Sequence, residues 1–314
     1  MAIKLEFEML NTKVKNQMLG VFLLLLAALI WGIAFVAQSE AMNYIGPFTM
    51  NGTRTLLATL FLFGASFVSD KIKGKKFTLL GSTNKDTNKN LLLGGIFCGI
   101  ALTTATSFQQ IGIIDTTVGK AGFLTTLYIV IVPLFGLFLG KKVAWNGWVG
   151  VVLATVGMFL LCIHEQVAFQ KGDVLMIICA FAFAIHILII DKYAPLVDGI
   201  RLSMIQFAFC AVISLILAFI FEKPNLNDIL RGWLPVVYAG IMSAGVGYTL
   251  QIIGQKFVPS HIAPLLLSFE SVFALLAGAV ILKEKMILQE YFGCALVFIA
   301  VILAQITFKK VDKK

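Results

Sequence analysis

Residues 19–38 read LGVFLLLLAALIWGIAFVAQ, twenty residues without one charged side chain. A helix rises 1.5 Å per residue, so about 20 apolar residues cross the roughly 30 Å hydrocarbon core of a bilayer. The same pattern recurs along the chain at 47–69, 91–114, 116–140 and 143–163, then at 174–190, 202–221, 232–255, 258–282 and 291–308. These ten runs contain few ionisable groups, chiefly Arg54, Lys120, His186, His261 and Glu270. Outer-membrane strands would instead alternate in segments of about 10 residues. An all-α integral membrane protein of ten transmembrane helices is therefore expected.

Composition agrees, since 59% of residues are hydrophobic and 13% charged, against roughly 25% charged in a soluble domain. With the N-terminus inside, the inner segments hold 18 Lys and Arg and the outer loops 5. Positive charge is retained on the cytoplasmic side, so both termini are expected there, in a multi-pass protein of the cell membrane. The net charge of +9 thus reports topology, and no nucleic-acid partner is implied. The first apolar run exceeds a signal peptide's h-region of about 7 to 15 residues and lacks a small-residue cleavage site, so its retention is expected. Cys98, Cys162, Cys179, Cys210 and Cys294 show no metal-ligand spacing and read as reduced packing residues. No metal or cofactor is expected.

Two halves can be aligned. Gly150 falls on Gly293, laying 139–142 over 282–285 with Lys141 on Glu284; Gly99 and Gln110 fall on Gly240 and Gln251; Gly20 falls on Gly172, which sets Arg54 over Gln206. An odd number of helices per half makes the second copy enter from the opposite side, giving two inverted five-helix repeats at 19–163 and 171–308, flanked by cytoplasmic segments 1–18 and 309–314. Inverted halves with a midplane site between them are a common plan for secondary transporters. No HExxH, GxSxG, Gly-rich phosphate loop or paired carboxylates at helical spacing appear, so no enzyme is expected. A passive channel and a membrane-embedded lipid-modifying or assembly protein are the alternatives.

Four stretches together, AALIWGIAFVAQ at 27–38, PFTMNGTRTLLATL at 47–60, TTVGKAGFLTTLYIVIVPLFG at 116–136 and SFESVFALLAGAVILKEK at 268–285, resemble EamA-type members of the drug/metabolite transporter superfamily. Ser271 stands where that family usually has proline after the glutamate. The resemblance implies a carrier of amino acids, nucleosides, sugars or related metabolites, with export the expected direction. It also implies a cavity lined by helices one, three, four, six, eight and nine.

Intramembrane charges cost about 2.5–3.5 kcal/mol at mid-helix and seldom face lipid. Glu270 lies about 18 Å from the inner surface and Lys120 about 6 Å below the outer one by helical rise, which places them about 6 Å apart axially. They are expected to pair, or both to contact a zwitterionic substrate; Glu270 could also take up a proton and couple transport to pH. The plainer alternatives are a structural hydrogen bond for Glu270, snorkelling for Lys120, a helix tie or gate for Arg54 and packing for His186. Thr103, Ser107 and Gln110 make one polar face of the third helix, and Ser243, Gly247 and Gln251 one of the eighth, unless the hydroxyls bond their own backbones. Trp31, Tyr128 and Tyr248 would supply aromatic walls. Gly245 and Gly247 would let the eighth helix flex, and Pro133, Pro235 and Pro264 would kink theirs. The expected partners are a small-molecule substrate and the lipid bilayer, with the fifth and tenth helices placed either at the periphery or in a homodimer contact.

Overall fold

The computed structural model describes residues 2–116, 118–162, 170–281 and 286–306. Every regular element among them is helical, as hydrocarbon demands of a chain that must satisfy its own backbone. The α-helices are α1 (Ala2–Ala41), α2 (Pro47–Ile72), α3 (Lys85–Gly112), α4 (Val118–Thr126), α5 (Tyr128–Phe138), α6 (Trp145–Cys162) and α7 (Lys171–Tyr193), followed by α8 (Gly199–Phe221), α9 (Leu226–Arg231), α10 (Trp233–Val237), α11 (Tyr248–Gln255), α12 (Ala263–Leu267), α13 (Phe269–Ile281) and α14 (Leu288–Ile306). A π-helical stretch, Tyr238–Gly247, joins α10 to α11. Seven helical stretches are long and apolar enough to cross a membrane, and three more, Trp145–Leu161, Ala263–Leu276 and Leu288–Ala304, are apolar but shorter. This is a multi-pass membrane protein.

Three runs expected as continuous helices are interrupted. The run at 116–140 breaks at Leu127, between α4 and α5, and that at 258–282 at Ser268, between α12 and α13. At both points the backbone tightens: the Leu127 N–H donates to the Leu124 carbonyl and the Ser271 N–H to the Ser268 carbonyl, three residues back. The run at 232–255 instead widens into its π turn. The prolines explain less than expected. Pro235 and Pro264 sit in the first turns of α10 and α12, where a missing N–H leaves no intrahelical bond unmade. Pro133 alone is interior, and the break in its run lies six residues earlier.

Caps set the other ends. Pro47 opens α2, and Glu222 beyond α8 accepts from the Phe48 and Thr49 N–H groups at 2.8 Å each and from the Thr49 hydroxyl at 2.6 Å. An anion at a helix N-terminus is favoured by the helix dipole. Asn84 caps α3, Asp198 caps α8, and Gln170 with Asp173 forms a reciprocal box at α7.

The opposite end of the α2–α8 pair carries a buried ion pair. Arg201 donates to Asp70 at 2.5 Å and to the Thr78 carbonyl at 3.0 Å. Gly81 lies against its guanidinium at φ +72°, where a Cβ would come within 2.4 Å of Nε. This lysine-rich face also holds Lys141, which donates to Asp191 and, at 3.1 Å, to the Ser260 hydroxyl.

Within the bundle α1 packs on α13, α11 and the π stretch, α2 on α8, α3 on α7 and α8, and α6 on α14. The fifth and tenth apolar runs thus cover each other. Small residues let these backbones meet, as they do between membrane helices generally. A Cβ on Gly157 would lie 2.8 Å from the Gly293 carbonyl, and one on Gly293 2.7 Å from that of Gly157. Gly20 of α1 crosses Gly254 of α11 in the same way, and Gly112 of α3 crosses Gly172 of α7. Gly64 faces open space.

Gly157→Ala is therefore expected to destabilise the protein by about 1–3 kcal/mol, lowering its thermal unfolding midpoint in detergent. Gly64→Ala should leave that midpoint unchanged or raise it, since alanine is the better helix former by about 1 kcal/mol. Equal effects would mean that backbone contact does not hold α6 to α14.

Candidate functional site

The interruptions in the helices converge on one small cavity of about 30 Å³. Backbone irregularity at membrane depth is tolerated only where it is buried in protein or lines a cavity. Its polar walls are Gln38, Arg54, Gln109, Thr125, Tyr128, Ser243, Gln251 and Glu270; the apolar remainder is Trp31, Ala34, Phe35, Phe183, Ile187, Tyr248 and Leu267.

Glu270 is the second residue of α13, and Tyr128 the first of α5, so each follows directly on an interruption. The Tyr128 hydroxyl donates to Glu270 Oε1 at 3.2 Å, and Glu270 is buried at 4% exposure. The first turn of a helix favours a negative group. A Cβ on Gly32 would come within 2.6 Å of the Glu270 carbonyl, so α1 passes in backbone contact with the turn that carries the carboxylate. The expected partner, Lys120, has its side chain outside the described residues, as do Cys162, Lys283, Glu284 and Lys285.

The cation that the structure does place at the cavity is Arg54. Buried at 4% exposure, it donates through Nη1 to Gln38 Oε1 at 2.5 Å, while its Nε has no protein partner. Gln38 is held in turn, its Nε2 donating to the Ala34 carbonyl at 3.2 Å and its own carbonyl accepting from Gln110 Nε2 at 3.1 Å. Arg54 thus ties α2 to α1, as a structural arginine would, and also faces the cavity.

The aromatic wall is fixed from behind. Trp31 packs against Tyr248 with ring centroids 4.6 Å apart and planes tilted by 54°, and donates its indole N–H to the Ser243 carbonyl at 3.2 Å, inside the π stretch. Tyr238 donates to the Ile30 carbonyl at 3.0 Å. Gly247 lies under the indole and Gly245 under Phe61, where Cβ atoms would come within 2.7 Å and 2.8 Å of ring atoms. These glycines permit close packing of the π stretch against the aromatic rings.

Seven of the sequence candidates therefore meet at the cavity: Glu270, Gln251, Ser243, Trp31, Tyr128, Tyr248 and Arg54. Thr103, Ser107, Gln110 and His186 do not line it. Thr103 donates to the Gly99 carbonyl of its own helix at 2.7 Å, Gln110 is engaged by α1, and the Ser107 hydroxyl is buried without a partner. The cavity face of α3 is instead represented by Gln109. His186 lies behind Tyr248 at 6.0 Å and shares a 3.0 Å hydrogen bond with Gln206. Gln38, Ala34 and Phe35 were missed, although they follow Trp31 at i+7, i+3 and i+4 on one helix face. No group of three His, Cys, Asp or Glu able to hold a metal occurs among the described residues.

A carboxylate with a phenol donor, a guanidinium, unengaged amide oxygens such as Gln251 Oε1 and an aromatic wall are recognition groups for a small polar solute. A model described as the EamA-like transporter family matches residues 18–163 and again 170–305. An uncharacterized transporter of Archaeoglobus fulgidus is 31% identical over 285 residues, covering 90% of this chain and 84% of its own. Another, from Bacillus subtilis strain 168, is 25% identical over 313 residues, covering 95% and 90%. A solved crystal structure superimposes with a TM-score of 0.74 at 18% identity, covering 94% of this chain and 99% of its own; at that identity the likeness is one of fold.

Proposed function

We propose that this chain, which belongs to the EamA-like transporter family, is a secondary carrier that moves a small polar metabolite, an amino acid or a related solute, by alternating access through the cavity around Glu270. Export across the cell membrane is the expected direction. The observation that carries this reading is the pair of interruptions at Leu127 and Ser268, which fall at corresponding positions of the two halves and deliver Tyr128 and Glu270 into one cavity. Interrupted helices in matching positions are the usual marker of a transporter's binding site.

Ten helices in two inverted repeats, 19–163 and 171–308, account for the packing. The Gly20–Gly254 crossing of α1 on α11 has a counterpart in the Gly172–Gly112 crossing of α7 on α3, and α2 with α8 and α6 with α14 are self-matching pairs. The lysine-rich face is assigned to the cytoplasm by the distribution of Lys and Arg. There Lys141, Asp191 and Ser260 join α5, α7 and the approach to α12, three segments whose inner residues Tyr128, Ile187 and Leu267 line the cavity. This tie is a cytoplasmic latch that must open for solute to pass on that side.

Proteoliposomes loaded with mixed amino acids, nucleosides and sugars are expected to lose one class selectively, and at least about tenfold more slowly with Glu270→Gln, a loss of roughly 1.4 kcal/mol or more. If Glu270 exchanges a proton during the cycle, the variant's residual flux will be independent of pH. Equal loss from wild type, variant and protein-free vesicles would overturn the carrier reading. For the latch, Lys141→Ala is expected to increase labelling of a cysteine placed at Ile187 by an impermeant maleimide applied from the cytoplasmic side, in a background without native cysteines. Unchanged labelling would mean that Lys141 has only a surface role.

A further inference from the structure

We infer that Arg54 is an anion-recognising subsite of the cavity, which binds the carboxylate of a zwitterionic solute whose ammonium group faces Glu270. The inference deepens the proposed carrier function and rests on it for the statement that the ligand is cargo.

The protein contains its own control for what a buried structural arginine looks like. Arg201, exposed by only 2%, is met by the Asp70 carboxylate at 2.5 Å and by a backbone carbonyl. Arg54 is buried almost as deeply, yet among the described residues its hydrogen-bond partner is the neutral Gln38 and no carboxylate forms an ion pair with it. A buried charge left without a counter-ion is costly, and here it borders a cavity.

Helix packing does not require that charge. The repeat counterpart of Arg54 is Gln206, which reaches His186 across a neighbouring helix in a 3.0 Å hydrogen bond. An amide at this position is therefore enough to tie the second helix of a half to the first. The charge at Arg54 is surplus to the tie, and the ligand provides its counter-ion.

Orientation is built in. The Gln38 amide is locked, because its Nε2 is committed to the Ala34 carbonyl, so its oxygen is the atom presented to Arg54. Gln38 is thus a positioning residue that fixes the plane of the guanidinium. A fixed guanidinium matches the two oxygens of a carboxylate or phosphate, which a lysine cannot do. Arg54 and Glu270 line the same cavity, one a guanidinium donor and the other a carboxyl acceptor, and this favours a carboxylate borne by a solute that also carries an ammonium group.

The test uses full-length protein with alanine, leucine and phenylalanine, the corresponding amides and decarboxylated amines, and glycerol 3-phosphate. Thermal stabilisation in detergent reads binding, and efflux from loaded proteoliposomes reads transport. Wild type is expected to bind amino acids at least about tenfold more tightly than the matched amides or amines. Arg54→Gln should erase that preference, and Arg54→Lys should reduce it. Arg54-dependent binding without any efflux from wild type would uphold the subsite and sink the carrier reading. Arg54-dependent binding of glycerol 3-phosphate alone would uphold an anion subsite but overturn the zwitterion. A wild type that does not distinguish acid from amide overturns the inference without recourse to a variant, as does an Arg54→Gln protein that keeps the wild-type preference.

Discussion

No water reaches the backbone of a helix in hydrocarbon, so each N–H and carbonyl group must find its partner inside the protein. The other features of this structure follow from that constraint. It makes every regular element helical, and it makes any lapse from regular helix informative, because a lapse persists only where protein or a cavity receives the freed groups. Among the described residues, lapses inside the apolar runs fall at Leu127, at Ser268 and across Tyr238–Gly247. Tyr128, Glu270 and Ser243, next to or within them, all line the same cavity. The cavity lies where the fold departs from its own rule.

The departures are held by neighbours rather than by local sequence preference. Leu127 offers no side-chain cap to α5, and the Ser268 hydroxyl donates backwards, to the Leu265 carbonyl at 2.8 Å. Glycine on α1 brings that helix into backbone contact with the turn bearing Glu270, and Trp31 on the same helix binds a carbonyl of the π stretch. One helix therefore braces two irregular walls. Between membrane helices apolar burial supplies little net drive, so close backbone contact and a few hydrogen bonds must supply it. The glycine crossings fill the first need, and Arg54, Trp31 and Tyr238 the second.

Much of this was legible in the sequence, and what was not has a physical cause. Long apolar runs mark helices whatever their partners, and an intramembrane carboxylate is a site candidate because it is costly elsewhere; Glu270 was singled out that way and lines the cavity. Tyr128, Trp31 and Tyr248 were singled out as aromatic walls, and all three line the cavity. The stripe Thr103, Ser107 and Gln110 misled because a polar face on a membrane helix can satisfy itself, as Thr103 does on its own backbone, or be taken up by a neighbour, as Gln110 is. Periodicity gives a face but not what that face meets. Gln38 was passed over for the opposite reason: it stood at the end of an apolar run and was read as the membrane boundary. The two tightened turns carry no sequence signal, since Leu127 and Ser268 stay in the right-handed region that any residue adopts, with ψ of −13° and −15°.

The two halves share a scaffold but not a chemistry, and this difference bears most on how a carrier would work. Glycine crossings and helix pairings repeat between the halves, whereas the polar groups do not. One half has Arg54 on Gln38, the other Gln206 on His186; one has an unbroken α3, the other a π turn at the corresponding place. On the lysine-rich face Lys141 meets Asp191, while the aligned positions toward the opposite face are Glu284 and Ser39, which cannot form an ion pair with each other. In the proposed alternating-access cycle, a symmetric scaffold makes two mirror-related states accessible at similar cost. Unequal charges then decide which state rests and which must be driven. In the proposed cycle that bias comes from the side chains laid over the repeat, and a solute that neutralises both Arg54 and Glu270 would lower the cost of leaving the resting state.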